Sequence, residues 1–179
     1  GKLNSAALLG GTVTGVEDNT LAGTWKWKNA DTTPIVNNDG YVAVFTPQDD
    51  MNYEAIEETV EVPVKKADAN LRIARTSYEK GFTSEDFVLE DISYTGDGVL
   101  TYSVRDEKTL DGEAKAAGSV VSVSDEGIVS INGVGSANIY VGVSESDNYM
   151  AAKPQIINVN VGLVDQIFVE CDKEYTYTG

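Results

Sequence analysis

Histidine is missing from the 179 residues, and cysteine occurs once, as Cys171. Without His, imidazole acid–base chemistry and imidazole metal ligation are excluded. A single Cys leaves no disulfide framework and no thiolate cluster. Within the run Ile167-Phe168-Val169-Glu170-Cys171 it reads as a small buried residue rather than a reactive thiol. No apolar run reaches the roughly 20 residues that a membrane-spanning helix needs, so membrane insertion is not expected in this segment. Basic side chains are few, 13 Lys and Arg against 29 Asp and Glu, for a net charge of −16. Because the acidic excess is spread along the chain, it describes a solvated, self-repelling surface; a monomer is expected, and nucleic acid is not an expected partner. Catalytic constellations are missing too. Gly133-Val134-Gly135 lacks the strand–turn–helix setting of a phosphate loop. Glu57/Glu58 and Asp106/Glu107 are neighbours in extended segments, where adjacent side chains point to opposite sides and do not converge across a cleft. No catalytic residue is expected, and no enzyme.

What the chain does have is one phrase written twice, about one domain apart. Phe45-Thr46-Pro47-Gln48-Asp49-Asp50-Met51-Asn52-Tyr53 leads, after a polar stretch, into Thr59-Val60-Glu61-Val62-Pro63-Val64. Val141-Gly142-Val143-Ser144-Glu145-Ser146-Asp147-Asn148-Tyr149 leads into Ile157-Asn158-Val159-Asn160-Val161. Duplication at such a spacing predicts tandem modules. Each Asn-Tyr precedes the last strand of its unit.

The rest of the pattern has period two. Thr24-Trp25-Lys26-Trp27-Lys28, Tyr41 to Phe45, Thr59 to Val64, Leu71 to Ile73, Val99 to Val104, Val120 to Val123, Gly127 to Ile131, Ala137 to Val143 and Ile156 to Val161 read as strands. Turn signals such as Asn37-Asn38-Asp39-Gly40, Gly96-Asp97-Gly98 and Asn132-Gly133 separate them. Helical turns are expected only at Ser84-Glu85-Asp86-Phe87 and within residues 109–117. This spacing predicts an all-β chain of tandem immunoglobulin-like antiparallel β-sandwiches. Residues 1–66 form a first module short of one or two strands, residues 67–163 a complete one, and residues 164–179 the start of a third or a C-terminal extension. The junction at Val64-Lys65-Lys66 has no Gly/Ser linker, which predicts an elongated, semi-rigid array.

Candidate sites have bland readings beside them. Trp25 and Trp27 share a strand face; with Tyr41 and Tyr53 they form either core or a sugar-stacking platform. Asp49, Asp50 and Asn52, with Glu145, Asp147 and Asn148, offer the oxygen ligands that calcium takes. No Asp-x-Asp-x-Asp-Gly loop is present, and Asp or Asn before a strand commonly closes a turn on its own backbone. Calcium is the one metal left open, and no other cofactor is expected. Trp25, Trp27, Phe45, Asn52, Tyr53, Asn148 and Tyr149 are expected to be structural, Asn shaping the turn and Tyr covering the end of the sandwich.

Leu8-Leu9-Gly10-Gly11, Gly23-Thr24-Trp25-Lys26-Trp27, and Phe45 to Tyr53 before Val60, Val62 and Val64 resemble a bacterial immunoglobulin-like repeat module of large surface proteins in gut and Gram-positive bacteria. Ser124-Asp125-Glu126-Gly127-Ile128-Val129 and Gly133-Val134-Gly135-Ser136-Ala137-Asn138-Ile139 resemble the immunoglobulin-like domains of invasin and intimin type. The first module lacks that family's opening strand before Lys2, and the chain opens on Gly1 without Met; both read as an excised piece. The resemblance implies an extracellular protein of the bacterial cell surface or wall, with neighbouring modules of the same chain as partners. It implies a non-catalytic spacer that presents distal domains. The alternatives are an adhesin module for a host protein or glycan and a calcium-rigidified stalk.

Overall fold

A computed structural model describes residues 1–6, 8 and 10–163. The chain divides into two compact units, Gly1–Lys66 and the part from Ala67 onward. Both are built of strands, and no α-helix occurs among the described residues. The expected strand beginning a third unit, with Cys171, lies outside the described residues.

The first unit is one antiparallel sheet of β1 (Gly23–Trp27), β2 (Tyr41–Pro47) and β3 (Ile56–Val60), in that order. Trp25 lies opposite Phe45, Trp27 opposite Ala43, and Phe45 opposite Ile56. Directly opposed residues share a face, so the period-two pattern puts both Trp, Ala43 and Phe45 together. The Trp25 and Phe45 rings meet at 5.4 Å. The turn into β2 follows Asn38, whose Oδ1 accepts the Gly40 N–H and whose Nδ2 donates to the Ile35 and Val62 carbonyls. Gly23 is required by close approach, since a Cβ there would sit 2.3 Å from the Phe45 ring and 2.5 Å from the Thr46 carbonyl oxygen.

The strand expected over 59–64 stops at Val60. Val60 faces Tyr41, where β2 begins, and Pro63 has no N–H to give a ladder. No second sheet covers this unit among the described residues. Instead a non-strand segment crosses the apolar face, with Leu3 buried and its N–H bonded to the Thr32 carbonyl.

The second unit holds eleven strands: β4 (Ala67–Asp68), β5 (Arg72–Ile73), β6 (Ser77–Gly81), β7 (Phe87–Val88), β8 (Ile92–Ser93), β9 (Leu100–Lys108), β10 (Val121–Val123), β11 (Ile128–Ile131), β12 (Gly135–Val143), β13 (Tyr149–Met150) and β14 (Ala152–Gly162). A four-stranded sheet of order β6-β14-β12-β9 and a three-stranded sheet of order β10-β11-β7 share one core. Ile139, Val141, Ile157, Val159 and Val161 from the first meet Val121 and Val129 from the second. Alternate residues of β12 and β14 bury here because successive side chains of a strand point to opposite faces.

Two pairings depart from the antiparallel expectation. β6 runs parallel to β14, and β4 runs parallel to β13. A parallel pair needs a long connection, which most of the unit's own sequence supplies in both cases. The polar stretch Ser77-Tyr78-Glu79-Lys80-Gly81 did not read as a strand; it is an edge strand anchored by Tyr78, which is buried against the core. Neither expected helical turn forms. Phe87 begins β7, and the Thr109 loop closes through Thr109 N–H to the Glu113 carbonyl and Glu113 N–H to Thr109 Oγ1.

Candidate functional site

Trp25 and Trp27 are half-buried, and they line an apolar groove of about 550 Å³. Leu8, Gly11, Val60 and Val62 form its other walls, with Glu58 and Glu61 beside them. The Trp27 indole N–H donates to the Ala6 carbonyl at 3.0 Å, and that of Trp25 to the Gly11 carbonyl at 3.4 Å. The indoles therefore clamp the crossing segment onto the sheet by their polar edges while their ring surfaces border the groove. Tyr41 shares their sheet face but does not line the groove; its hydroxyl accepts the Ile35 N–H at 3.0 Å.

The two Asn-Tyr turns are bonded differently but end alike. In the first, both carboxylate oxygens of Asp49 accept from Asn52 Nδ2, Oδ1 also accepts the Asn52 N–H, and Tyr53 N–H reaches the Asp49 carbonyl. In the second, Ser146 Oγ accepts the Tyr149 N–H, and Ser146 N–H returns to the Tyr149 carbonyl. Each Tyr ring lies on a glycine. A Cβ on Gly15 would meet the Tyr53 ring at 2.9 Å, and one on Gly96 would meet the Tyr149 ring at 2.6 Å. In the second unit the incoming chain also docks here, Ala67 N–H bonding to the Asn148 carbonyl.

Asp49, Asp50, Asn52 and Asp147 are exposed, and Asp49 is engaged by Asn52. Among the described residues no three Asp, Glu or Cys side chains converge on one point.

The role of Glu107, named in the sequence only as half of a carboxylate pair with Asp106, was not legible there. The backbone at Asp106 has φ 55°, and the β9–β12 register slips beside it, between Ser136 and Asn138. This bulge reverses the strand's alternation, so Glu107 points inward and is only 4% exposed. Its Oε1 accepts the N–H groups of Val120 and Val121 at 2.8 and 3.1 Å, and Oε2 that of Ser119 at 3.1 Å. The carboxylate thus stitches β9 of one sheet to the start of β10 in the other. Asp106 points outward, accepting from Tyr140 Oη at 3.0 Å and Asn138 Nδ2 at 3.1 Å. That hydrogen bond, then burial and the Asp106 charge, raise the Tyr140 pKa above its ordinary value, against the opposing pull of Arg105. Asn138 in turn accepts from Asn158, continuing a polar ladder across the outer face of the sheet.

No family model, curated protein or solved structure matches the chain.

Proposed function

We propose that the chain is a tandem of immunoglobulin-like modules of the bacterial surface-protein kind, the second a β-sandwich and the first a single-sheet part of one, acting as a non-catalytic spacer that presents distal domains outside the cell. The observation that carries this reading is the repeated closing hairpin. In both units a central strand, a turn ending in Asn-Tyr with the ring on a glycine, and a closing strand follow one another, flanked by an antiparallel strand on the other side. Thus β1-β2-β3 corresponds to β9-β12-β14. A repeated hairpin, set in the second unit on a packed core and carrying polar outer side chains bonded to one another, suits a load-bearing or spacing element better than a site of chemistry. An antibody raised against this segment should label intact cells of the source organism. Labelling only after the cells are permeabilised would refute the surface assignment.

The exposed flanks of Trp25 and Trp27 favour a second reading, a binding module for a host protein or glycan. Neither indole is fully buried, and aromatic residues bordering a groove are the usual anchors of recognition. Saturable binding to immobilised host-surface protein or glycan would move the assignment from spacer to adhesin.

A further inference from the structure

The opening and closing stretches of the second unit lie side by side and point the same way. Tyr149 and Met150 pair with Ala67 and Asp68, and Asn158 to Gly162 pair with Ser77 to Gly81, both in parallel. The register offset is 82 residues at the first pairing and 81 at the second, so one alignment continues from β4 to β6 with a single-residue slip. Between the two, the Gln155 side chain donates to the Leu71 carbonyl at 2.5 Å. Three backbone bonds of 2.9 Å mark the pairings: Ala67 N–H to the Asn148 carbonyl, Asn158 N–H to the Thr76 carbonyl, and Phe82 N–H to the Gly162 carbonyl. On the outer face Asn160 Nδ2 donates to Glu79 Oε1 at 2.7 Å.

Tyr78 locks this register. Its side chain is buried in the core, with its ring 4.9 Å from that of Phe87 and the Arg75 guanidinium 4.1 Å above it. Its hydroxyl accepts the Glu90 N–H at 2.8 Å, and Glu90 in turn holds Arg75 at 3.3 Å. Side chains of a strand repeat on one face every two residues, so a slip of β6 along β14 by one repeat has to draw this ring out of the core.

Direction decides how such a pair fails. The chain enters the unit ahead of β4 and leaves β14 at Gly162. Tension along it pulls the opening segment toward its start and β14 toward its end, and for parallel neighbours these pulls oppose each other along the strand axis. The five register pairs of β6 and β14 then carry the load together, in shear. An antiparallel pair pulled from its open end separates one pair at a time. Each interstrand bond is weak by itself, so it is the sharing that raises the barrier. We propose that the second unit is a force-bearing module, in which β4 and β6 against β13 and β14 form a shear clamp that keeps the unit folded under tension along the chain. The clamp belongs to this fold, and its use in the cell rests on the spacer reading. It also accounts for β6, a polar strand whose one large apolar side chain is the lock.

Single-molecule force spectroscopy on the full chain tests this, with Cys171→Ser so that introduced cysteines are the only thiols. Handles at the exposed positions Lys65→Cys and Leu163→Cys confine the tension to the second unit and load the pair in shear. Handles at Phe82→Cys and Leu163→Cys, both exposed and adjacent through the Phe82–Gly162 bond, peel the same pair from one end. At equal loading rate the first geometry should unfold at a several-fold higher force. Phe82→Pro removes the N–H that Gly162 accepts, the bond nearest the exit handle, and should lower the shear force. It should move the melting temperature little, because Ser84 N–H bonds to the Gly81 carbonyl and residue 82 is the second position of that turn, where proline is favoured. Glu107→Ala acts between β9 and β10, away from the clamp. It should do the reverse, lowering the melting temperature and leaving the shear force nearly unchanged, since a forced unfolding rate responds only to contacts broken at its barrier. Equal forces in the two geometries would overturn the proposal, as would a shear force that Glu107→Ala lowers and Phe82→Pro does not. Either result leaves the spacer reading standing, because that reading is decided by labelling of intact cells. Labelling confined to permeabilised cells would sink the spacer and leave the two forces to be compared as before.

Discussion

Glu107→Ala tests whether a single inward carboxylate holds the two sheets of the second unit together. The side chain is 4% exposed and accepts three backbone N–H groups, those of Ser119, Val120 and Val121. A hydrogen bond to a charged acceptor contributes about 1.5–3 kcal/mol, and a buried donor left unpaired costs about 1–3 kcal/mol. The three bonds share one acceptor group, and water can enter the space an alanine leaves, so the terms do not simply add. We expect Glu107→Ala to destabilise the unit by about 3–5 kcal/mol, a large share of the roughly 5–15 kcal/mol that holds a domain together. At about 4–8 °C per kcal/mol for a unit of this size, the transition falls by at least about 12 °C. Glu107→Gln keeps an acceptor for Val120 and Val121 but turns an N–H₂ toward the Ser119 N–H, and should cost about 1–3 kcal/mol. Chemical unfolding followed by circular dichroism reads the whole chain, while tryptophan fluorescence reads the first unit, which holds both Trp. The mutation should move the dichroism transition and leave the fluorescence transition in place. Hydrogen exchange should accelerate first at the Val120 and Val121 amides. A loss under about 1 kcal/mol would refute the reasoning, because it would mean that these amides find water as readily as the carboxylate.

Gly23→Ala should destabilise the first unit by about 1–3 kcal/mol, read by tryptophan fluorescence, because the new methyl would meet the Phe45 ring and the immovable Thr46 carbonyl; an unchanged midpoint would show that the sheet relaxes there. Tyr140, whose folded-state pKa is raised chiefly by its bond to Asp106, favours the neutral phenol when folded. Its contribution is therefore complete below the unfolded tyrosine value of about 10 and is lost as pH rises through the higher folded value. Ultraviolet or NMR titration should show Asp106→Asn bringing the Tyr140 midpoint down; no movement would mean the hydrogen bond is not formed in solution. Because Asp49 is bound to Asn52 within its own turn, chelator should leave both melting transitions unchanged, and a fall would restore calcium as a stabilising ligand.

The strands that could be read from the sequence were those whose burial is one-sided. β1, β2, β9, β10, β11, β12 and β14 each carry apolar residues on a face that meets a core, and most of those residues are buried or half-buried, Ile128 and Ile156 on the outer faces excepted. β6 was illegible because Tyr78 is its only large apolar residue, so its pairing is decided by the neighbouring β14 edge and not by its own pattern. Glu107 was hidden for a different reason. Read with strict alternation, Leu100, Tyr102 and Val104 point inward and Glu107 outward; only the positive φ of Asp106 shifts the phase, and an Asp-Glu pair carries no local signal for a bulge. The Asn-Tyr turns were recognised as turns, but the glycine under each ring was not, because Gly15 and Gly96 lie far from Tyr53 and Tyr149 in sequence.

The same hairpin thus sits in two different energetic settings. In the second unit its inward residues are sealed by β6 on the edge and by β10 and β11 across the core, so Ile157, Val159 and Val161 are withdrawn from water. Fully burying such side chains contributes about 1.5–3 kcal/mol each. In the first unit the register puts Glu58 at the place of Ile157 and Val60 at that of Val159; Glu58 is exposed and Val60 only half-buried, so a comparable gain is left partly unrealised. The first unit should therefore be the less stable of the two, its tryptophan-detected transition coming before the loss of the remaining circular dichroism signal; coincident transitions would show that its packing supplies as much as the second unit's.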